Sequence, residues 1–240
     1  MRNIYVIVRD TFPTDEILDK TKLKEKKVLN PYDEYALYQA IKLKNRCGGK
    51  VICIFISEDE TYYGLKTALG LGADEGIYIK CNSKYEKELA EVLKKVLKGK
   101  EFKNIFLGVR DVNNDREELP ARLAVALNIP LYSHLLEVSY DEKLFVKKES
   151  DRTIETYQIN GKGILAFSQN VYEPQYPTIN NILKIKEKEI IEYKESFEFY
   201  ENSELFFYDV DRKKEIYKDI SSRDGINKII NYLKLWKLVE

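Results

Sequence analysis

Four short, nearly unbroken apolar runs recur along the first half of this chain, and a segment with the period of an amphipathic helix follows each one. The runs are Asn3–Val8 (NIYVIV), Val51–Ile56 (VICIFI), Gly76–Ile79 and Ile105–Leu107. A strand that is apolar on both faces is buried on both, which is the mark of a parallel sheet covered by helices. The segments between and after them, Pro31 to about Arg46, Tyr62–Leu71, Tyr85–Leu97 and Glu118–Leu127, supply the helices. This alternation predicts an α/β fold with a doubly wound, mainly parallel sheet.

The punctuation supports the same layout. Asn30 is placed to cap the first helix, Pro31 suits its first position, and Asp33 and Glu34 favour its first turn. Asn113, Asn114 and Asp115 are cap-type residues ahead of the fourth helix, which Asn128 and Pro130 close. After Pro130 the pattern changes. Leu135–Tyr140, Leu144–Lys148 and Thr153–Ile159 read as antiparallel strands, Asn160-Gly161 as a hairpin turn and Gly163–Ser168 as another buried strand. Glu173–Pro177 reads as rigid and extended, and Ile179–Lys186 as helical. Beyond Lys188 the chain is charged and aromatic, like an arm, and ends in an amphipathic helix, Asp224–Val239, capped by Ser222 or Asp224. Two parts follow: residues 1–190 as the α/β domain, and 191–240 as an arm.

Forty basic residues balance forty acidic ones. Such a chain has no field for nucleic acid. The lysines of Lys22–Lys27 and Lys184–Lys188 alternate with glutamates and read as solvated surface. Cys47, Cys53 and Cys81 lack metal or redox spacing and read as reduced thiols, with Cys53 in the core. No apolar run approaches the ~20 residues a bilayer span needs. A cytoplasmic location and no membrane insertion are the expectations. His134 is the lone histidine and has no identifiable nucleophile or carboxylate partner, so it reads as a surface residue. The eighteen tyrosines, among them Tyr193, Tyr200, Tyr208 and Tyr217, suit either a partner interface or a compositional bias.

The stretch with most to say about chemistry is Asn104–Pro130 (NIFLGVRDVNNDREELPARLAVALNIP). Strand, loop and helix in that order place ligands at the C-terminal end of a parallel sheet. The free N–H groups at the helix N-terminus suit a phosphate. The side chains pull the other way. Glu117 and Glu118 stabilise the helix by about 0.3–1 kcal/mol each but repel an anion. Pro120 removes an N–H donor.

Four stretches together resemble the beta subunit of electron transfer flavoproteins. They are Asn30–Leu37 (NPYDEYAL), Thr67–Ile79 (TALGLGADEGIYI), Gly108–Pro130 and Glu173–Lys186 (EPQYPTINNILKIK). The resemblance implies an α/β fold of the adenine-nucleotide-binding type, and a heterodimer with an electron transfer flavoprotein alpha subunit that holds the redox-active FAD. It also implies an AMP in the beta subunit, or a second FAD in electron-bifurcating members. The implied electron source is a docked acyl-CoA or other flavin dehydrogenase. Carried over by position, the nucleotide site involves the backbone at Ile7, then Asn30, Pro31, Tyr32 and Asp33 on the adenine side, and Ile56 at the second strand end. The phosphate loop runs from Gly108 through Arg110, Val112, Asn113, Asn114, Asp115, Arg116 and Glu118 to Leu119.

The loop departs from the family pattern, in which a Gln, a hydroxylic or apolar residue and a Gly follow one another. Here Glu118, Leu119 and Pro120 hold those positions. A charge-assisted hydrogen bond contributes about 1.5–3 kcal/mol, so losing two weakens nucleotide binding by roughly two or more decades. Arg110 and Arg116 offer replacement contacts. The resemblance also makes Ile179, flanked by Asn180 and Asn181, the anchor for a partner dehydrogenase; a core role is the alternative from the residues alone. The terminal helix with Trp236 packs on the alpha subunit in this family, and packing on its own core is the alternative. Three function classes stay open: an electron-transfer subunit, which is favoured, a stand-alone adenine-nucleotide-binding protein, and a docking paralogue with a degenerate nucleotide site.

Overall fold

The computed structural model describes residues 3–12, 27–58, 62–83, 85–168, 176–199, 218 and 220–236. The chain divides into two compact units, Met1–Tyr200 and Glu201–Glu240. The first opens with β1 (Ile4–Thr11), β2 (Val28–Leu29), α1 (Pro31–Cys47), β3 (Val51–Ser57), α2 (Tyr63–Leu71) and β4 (Glu75–Lys80). It continues with α3 (Glu86–Leu97), β5 (Asn104–Gly108) and α4 (Leu119–Leu127). Then come β6 (Leu131–Asp141), β7 (Lys143–Glu149), β8 (Ile154–Ile159), β9 (Gly163–Phe167), α5 (Ile179–Lys184) and β10 (Ile190–Glu192).

Nine strands line up in the order β10-β4-β3-β1-β5-β9-β6-β7-β8, and β2 pairs with the end of β1. From β10 to β6 every neighbouring pair is parallel. β7 and β8 extend the sheet antiparallel from β6. The doubly wound reading is therefore correct, and its cause is visible in the burial. One face of the sheet packs Val6, Val8, Cys53, Phe55, Tyr78, Phe106 and Phe167 against α1 and α2. The other packs Ile7, Ile54, Ile79, Ile105, Leu107 and Ile164 against α3 and α4. Residues alternating along one strand thus serve two cores, so both positions must be apolar.

Several local expectations change. Leu131–Asp141 is one long strand, parallel to β9 on one side and antiparallel to β7 on the other. It starts four residues earlier than its pattern suggests because its first part lies against β9, with irregular pairing around His134, whose φ is +56°. The Asn160-Gly161 turn does not form a hairpin: β8 pairs with β7, whereas β9 pairs with β5 and β6. Past Lys188 the chain adds β10 and a bridge from Phe197 to Cys81, so residues 190–197 belong to the sheet edge. Lys188 is not a solvated surface lysine. Its Nζ donates to Leu69 O at 2.7 Å and Ala73 O at 2.6 Å, satisfying carbonyls at the end of α2. Tyr193 packs on the core and stacks on Phe197, with ring centroids 6.0 Å apart. Tyr200, Tyr208, Tyr217 and Glu173–Gln175 lie outside the described residues.

The second unit contains α6 (Ser222–Leu235). Its cap is Ser221, whose hydroxyl accepts from the Asp224 N–H at 3.2 Å, and neither Ser222 nor Asp224 plays that part. Ile226, Ile229, Ile230 and Leu233 recur at helical spacing along it.

Candidate functional site

The chain reverses its winding between β1 and β5. β3 and β4 build outward on one side of β1, and the connection through α3 then carries the chain to β5 on the other side. The C-terminal ends of β1 and β5 part at this switch point, which is where ligands sit in such sheets. Here the gap holds a side chain from the first turn of α1. Asp33, fully buried, accepts the Gly108 N–H at 2.8 Å and the Arg9 N–H at 3.1 Å. It also accepts Arg9 Nε at 2.9 Å and Nη2 at 3.0 Å. Gly108 makes the approach possible: a Cβ there would lie 2.5 Å from Tyr32 Cβ and 2.6 Å from Asp33 Oδ1.

Burial alone would pull the Arg9 pKa down, but Asp33 outweighs it and holds the guanidinium above its ordinary value. Arg9 Nη1 also faces Glu86 Oε1 at 4.0 Å. Burial pushes the Glu86 carboxyl above the usual range, partly offset by Arg9, while the carboxylates of Asp111, Asp33 and Glu118 push it further the same way.

The loop after β5 folds on itself. Asp111 and Arg116 form a backbone bridge, with the Asp111 N–H donating to Arg116 O at 2.8 Å. The Asp111 carboxylate accepts from the Asn113 N–H at 2.9 Å. Asn113 Oδ1 accepts from Thr11 Oγ1 at 2.6 Å and from the Phe12 N–H at 3.2 Å, tying the loop to the end of β1. Asn113, Asn114 and Asp115 therefore do not cap α4; its cap position is Glu118, with no side-chain cap bond. Asn30 likewise gives up capping, because its Nδ2 donates to Arg110 O at 2.8 Å. Arg110 pairs with Asp115 and reaches Tyr32, and these contacts hold its pKa above the ordinary value. Arg122 pairs with Glu118 at 2.6 Å. Arg116 has no side-chain partner among the described residues.

The structure thus brings Asn30, Pro31, Tyr32, Asp33, Gly108 and Arg110 together around Arg9. Val112, Asn113, Asn114, Asp115, Arg116 and Glu118 form the rim of the loop. Ile7 and Leu119 have side chains in the core, and Ile56, at the end of β3, pairs beside Arg9. Sequence reasoning missed Arg9, Glu86 and Asp111. The available signal was a charged residue at the end of an otherwise apolar strand, since a buried charge demands a partner. Two buried acceptor atoms here, Asn30 Oδ1 and Glu86 Oε2, have no donor among the described residues. A cleft of about 540 Å³ opens beside Glu86, lined by Tyr85, Glu86, Lys87, Glu88, Arg116, Glu118 and Arg122. Among the described residues no cluster of three or more His, Cys, Asp or Glu is arranged for a metal ion, and no helix is long and apolar enough to cross a membrane. His134 is exposed, 3.7 Å from Glu117 and 3.4 Å from Ser168 Oγ, which is too loose for a proton relay.

A second feature is α5. Thr178 caps it, accepting from the Asn181 N–H at 3.2 Å. Pro177 and Ile185 rest on Gly70 of α2, where a Cβ would meet them at 3.2 and 3.3 Å. Tyr176, Ile179, Ile182 and Leu183 stand out from this base with exposures of 83%, 78%, 50% and 67%. Asn180 is exposed beside them, and Asn181 is half-buried.

A profile of the electron transfer flavoprotein domain matches residues 21–197. The chain is 26% identical to the electron transfer flavoprotein subunit beta of Bacillus subtilis over 200 residues, covering 79% of this chain and 78% of that one. It is 31% identical to the subunit of the same name from Bradyrhizobium diazoefficiens over 170 residues, covering 68% and 67%. With the human subunit it shares 28% identity over 169 residues, covering 68% and 66%. On these matches and on its doubly wound sheet, the chain belongs to the electron transfer flavoprotein beta subunit family.

Proposed function

We propose that this chain is the beta subunit of a heterodimer in which an alpha subunit holds most of an FAD, and that the pair passes electrons from a flavin dehydrogenase to an acceptor. The observation that carries this reading is the apolar ridge on α5, where Ile179 projects from a capped helix that spends none of its residues on the core. Such a ridge, exposed and rigidly based, fits a transient docking contact. Bound flavin would supply the one- and two-electron chemistry, and this chain would supply position and docking.

Co-expression with an alpha-subunit reading frame tests the proposal. The expected result is a stoichiometric complex containing one FAD per pair, reduced by an acyl-CoA or other flavin dehydrogenase. Failure to form that complex would sink it. The crowded switch point favours a second reading, a docking subunit that contributes no nucleotide of its own. The same purified pair distinguishes the two by its adenine content.

A further inference from the structure

We infer that the switch-point cleft rejects phosphate, so that this chain discriminates against AMP relative to adenosine. The inference rests on reading this cleft as the position where the family's nucleotide would lie. Phosphate is an acceptor of hydrogen bonds and carries negative charge, so a site for it must present free donors. At the switch point most of the donors are already spent. The N–H groups of Arg9 and Gly108, at the two strand ends, both donate to Asp33. The Arg9 guanidinium is bound by the same carboxylate. Arg110 is held by Asp115, and Arg122 by Glu118. At the head of α4, Pro120 has no N–H to offer.

What the switch point has in surplus is acceptors. Asn30 Oδ1 and Glu86 Oε2 are buried without a donor among the described residues, and a buried acceptor left unpaired is costly. A phosphate would add acceptors to acceptors and a negative charge to Asp33, Asp111 and Glu118. An uncharged group bearing hydroxyl or amino donors would satisfy what is missing. Arg116 is the one arginine of the loop with no side-chain partner among the described residues, and the cations of the neighbouring cleft, Lys87, Arg116 and Arg122, are matched there by Glu86, Glu88 and Glu118, so they do not reverse that balance.

The test compares AMP with adenosine by calorimetric titration of the purified chain, alongside two variants. The first, Glu118→Gln with Pro120→Ala, restores a donor side chain and an N–H at the head of α4. The second, Asp115→Asn, frees Arg110 from an exposed position, so folding is not at stake. The expected result is that wild-type chain binds AMP no tighter than adenosine. At least one variant gains roughly tenfold or more in AMP affinity with adenosine unchanged. Stoichiometric AMP released from denatured wild-type chain overturns the inference, as does wild-type AMP binding at least ~10-fold tighter than adenosine. Variants that leave the AMP-to-adenosine ratio where it was overturn it as well, even if wild-type chain binds neither. Flavin content and electron transfer of the heterodimer are separate readouts, so the electron-transfer reading survives or fails independently.

Discussion

Asp33 and Arg9 form a buried pair in which Nε and Nη2 of the guanidinium donate to the two carboxylate oxygens at 2.9 and 3.0 Å. Because Asp33 also takes the N–H groups of both strand ends, it acts as the keystone of the switch point. Removing it leaves a buried cation with only a distant carboxylate, which costs about 3–5 kcal/mol. Asp33→Ala is expected to lower the urea midpoint accordingly. Replacing both members, Arg9→Met with Asp33→Leu, is expected to recover part of that loss. If the double variant is the less stable one, the pair contributes more than its own desolvation and the argument is wrong.

Gly108 has no room for a methyl group. Gly108→Ala drives a Cβ toward Tyr32 and the Asp33 carboxylate, and overpacking of this kind costs about 1–3 kcal/mol. Thermal unfolding reads the effect; an unchanged midpoint would mean that α1 shifts freely, contrary to the four bonds to Asp33.

Glu86 makes stability fall as pH rises. Its folded carboxyl sits above the unfolded value of about 4.3, because burial disfavours the charge. The folded state therefore binds the proton more tightly. The contribution is fully present below the unfolded pKa and is lost as pH rises through the raised folded one. Glu86→Gln removes a proton-binding site and is expected to flatten this decline in urea melts taken from pH 4.5 to 8. Parallel curves for the two proteins would exclude Glu86 as the cause.

Lys188 anchors the edge strand. Lys188→Met removes the side-chain donor from the Leu69 and Ala73 carbonyls, leaving Leu69 O with the Gly72 N–H at 3.2 Å, a loss of roughly 1–3 kcal/mol. The effect is expected to concentrate in β10, with faster amide exchange at Tyr193, whose N–H donates to Tyr78 O, than at the central strands. Uniform change across the sheet would argue against a local anchor.

Ile179 separates docking from folding. Ile179→Asp is expected to leave stability within about 0.5 kcal/mol of the parent, as for an exposed position. Electron transfer from a flavin dehydrogenase to the heterodimer is expected to slow by roughly tenfold or more, the scale of a lost interface anchor. Undiminished transfer would remove α5 from the docking surface.

The parallel core was legible in the sequence because burial on two faces leaves no polar alternation to confuse the reading. NIYVIV and VICIFI could hardly be anything else. What escaped was set by long-range partners. Asn30 has every attribute of a cap, yet the Arg110 carbonyl, eighty residues away, claims its amide. Asn113 is diverted in the same way by Thr11 and Phe12. β10 is three residues long and ends in a glutamate, and only the exposed edge of β4 makes it a strand. Arg9 stood in plain view as a charge ending an apolar run, but nothing local named Asp33 as its counterpart. The departures at Glu118 and Pro120 were visible from the start, and the structure adds that Arg110 and Arg122 are engaged by carboxylates.

The absence of any buried residue in α5 has a consequence for how such a chain diverges. Its contact side chains are free of the core, while Thr178, Pro177 and Gly70 fix the angle at which they are presented. Ile179, Ile182 and Leu183 can therefore be exchanged for other shapes without repacking the domain that carries them, so the docking specificity proposed for this ridge would be tunable independently of the fold.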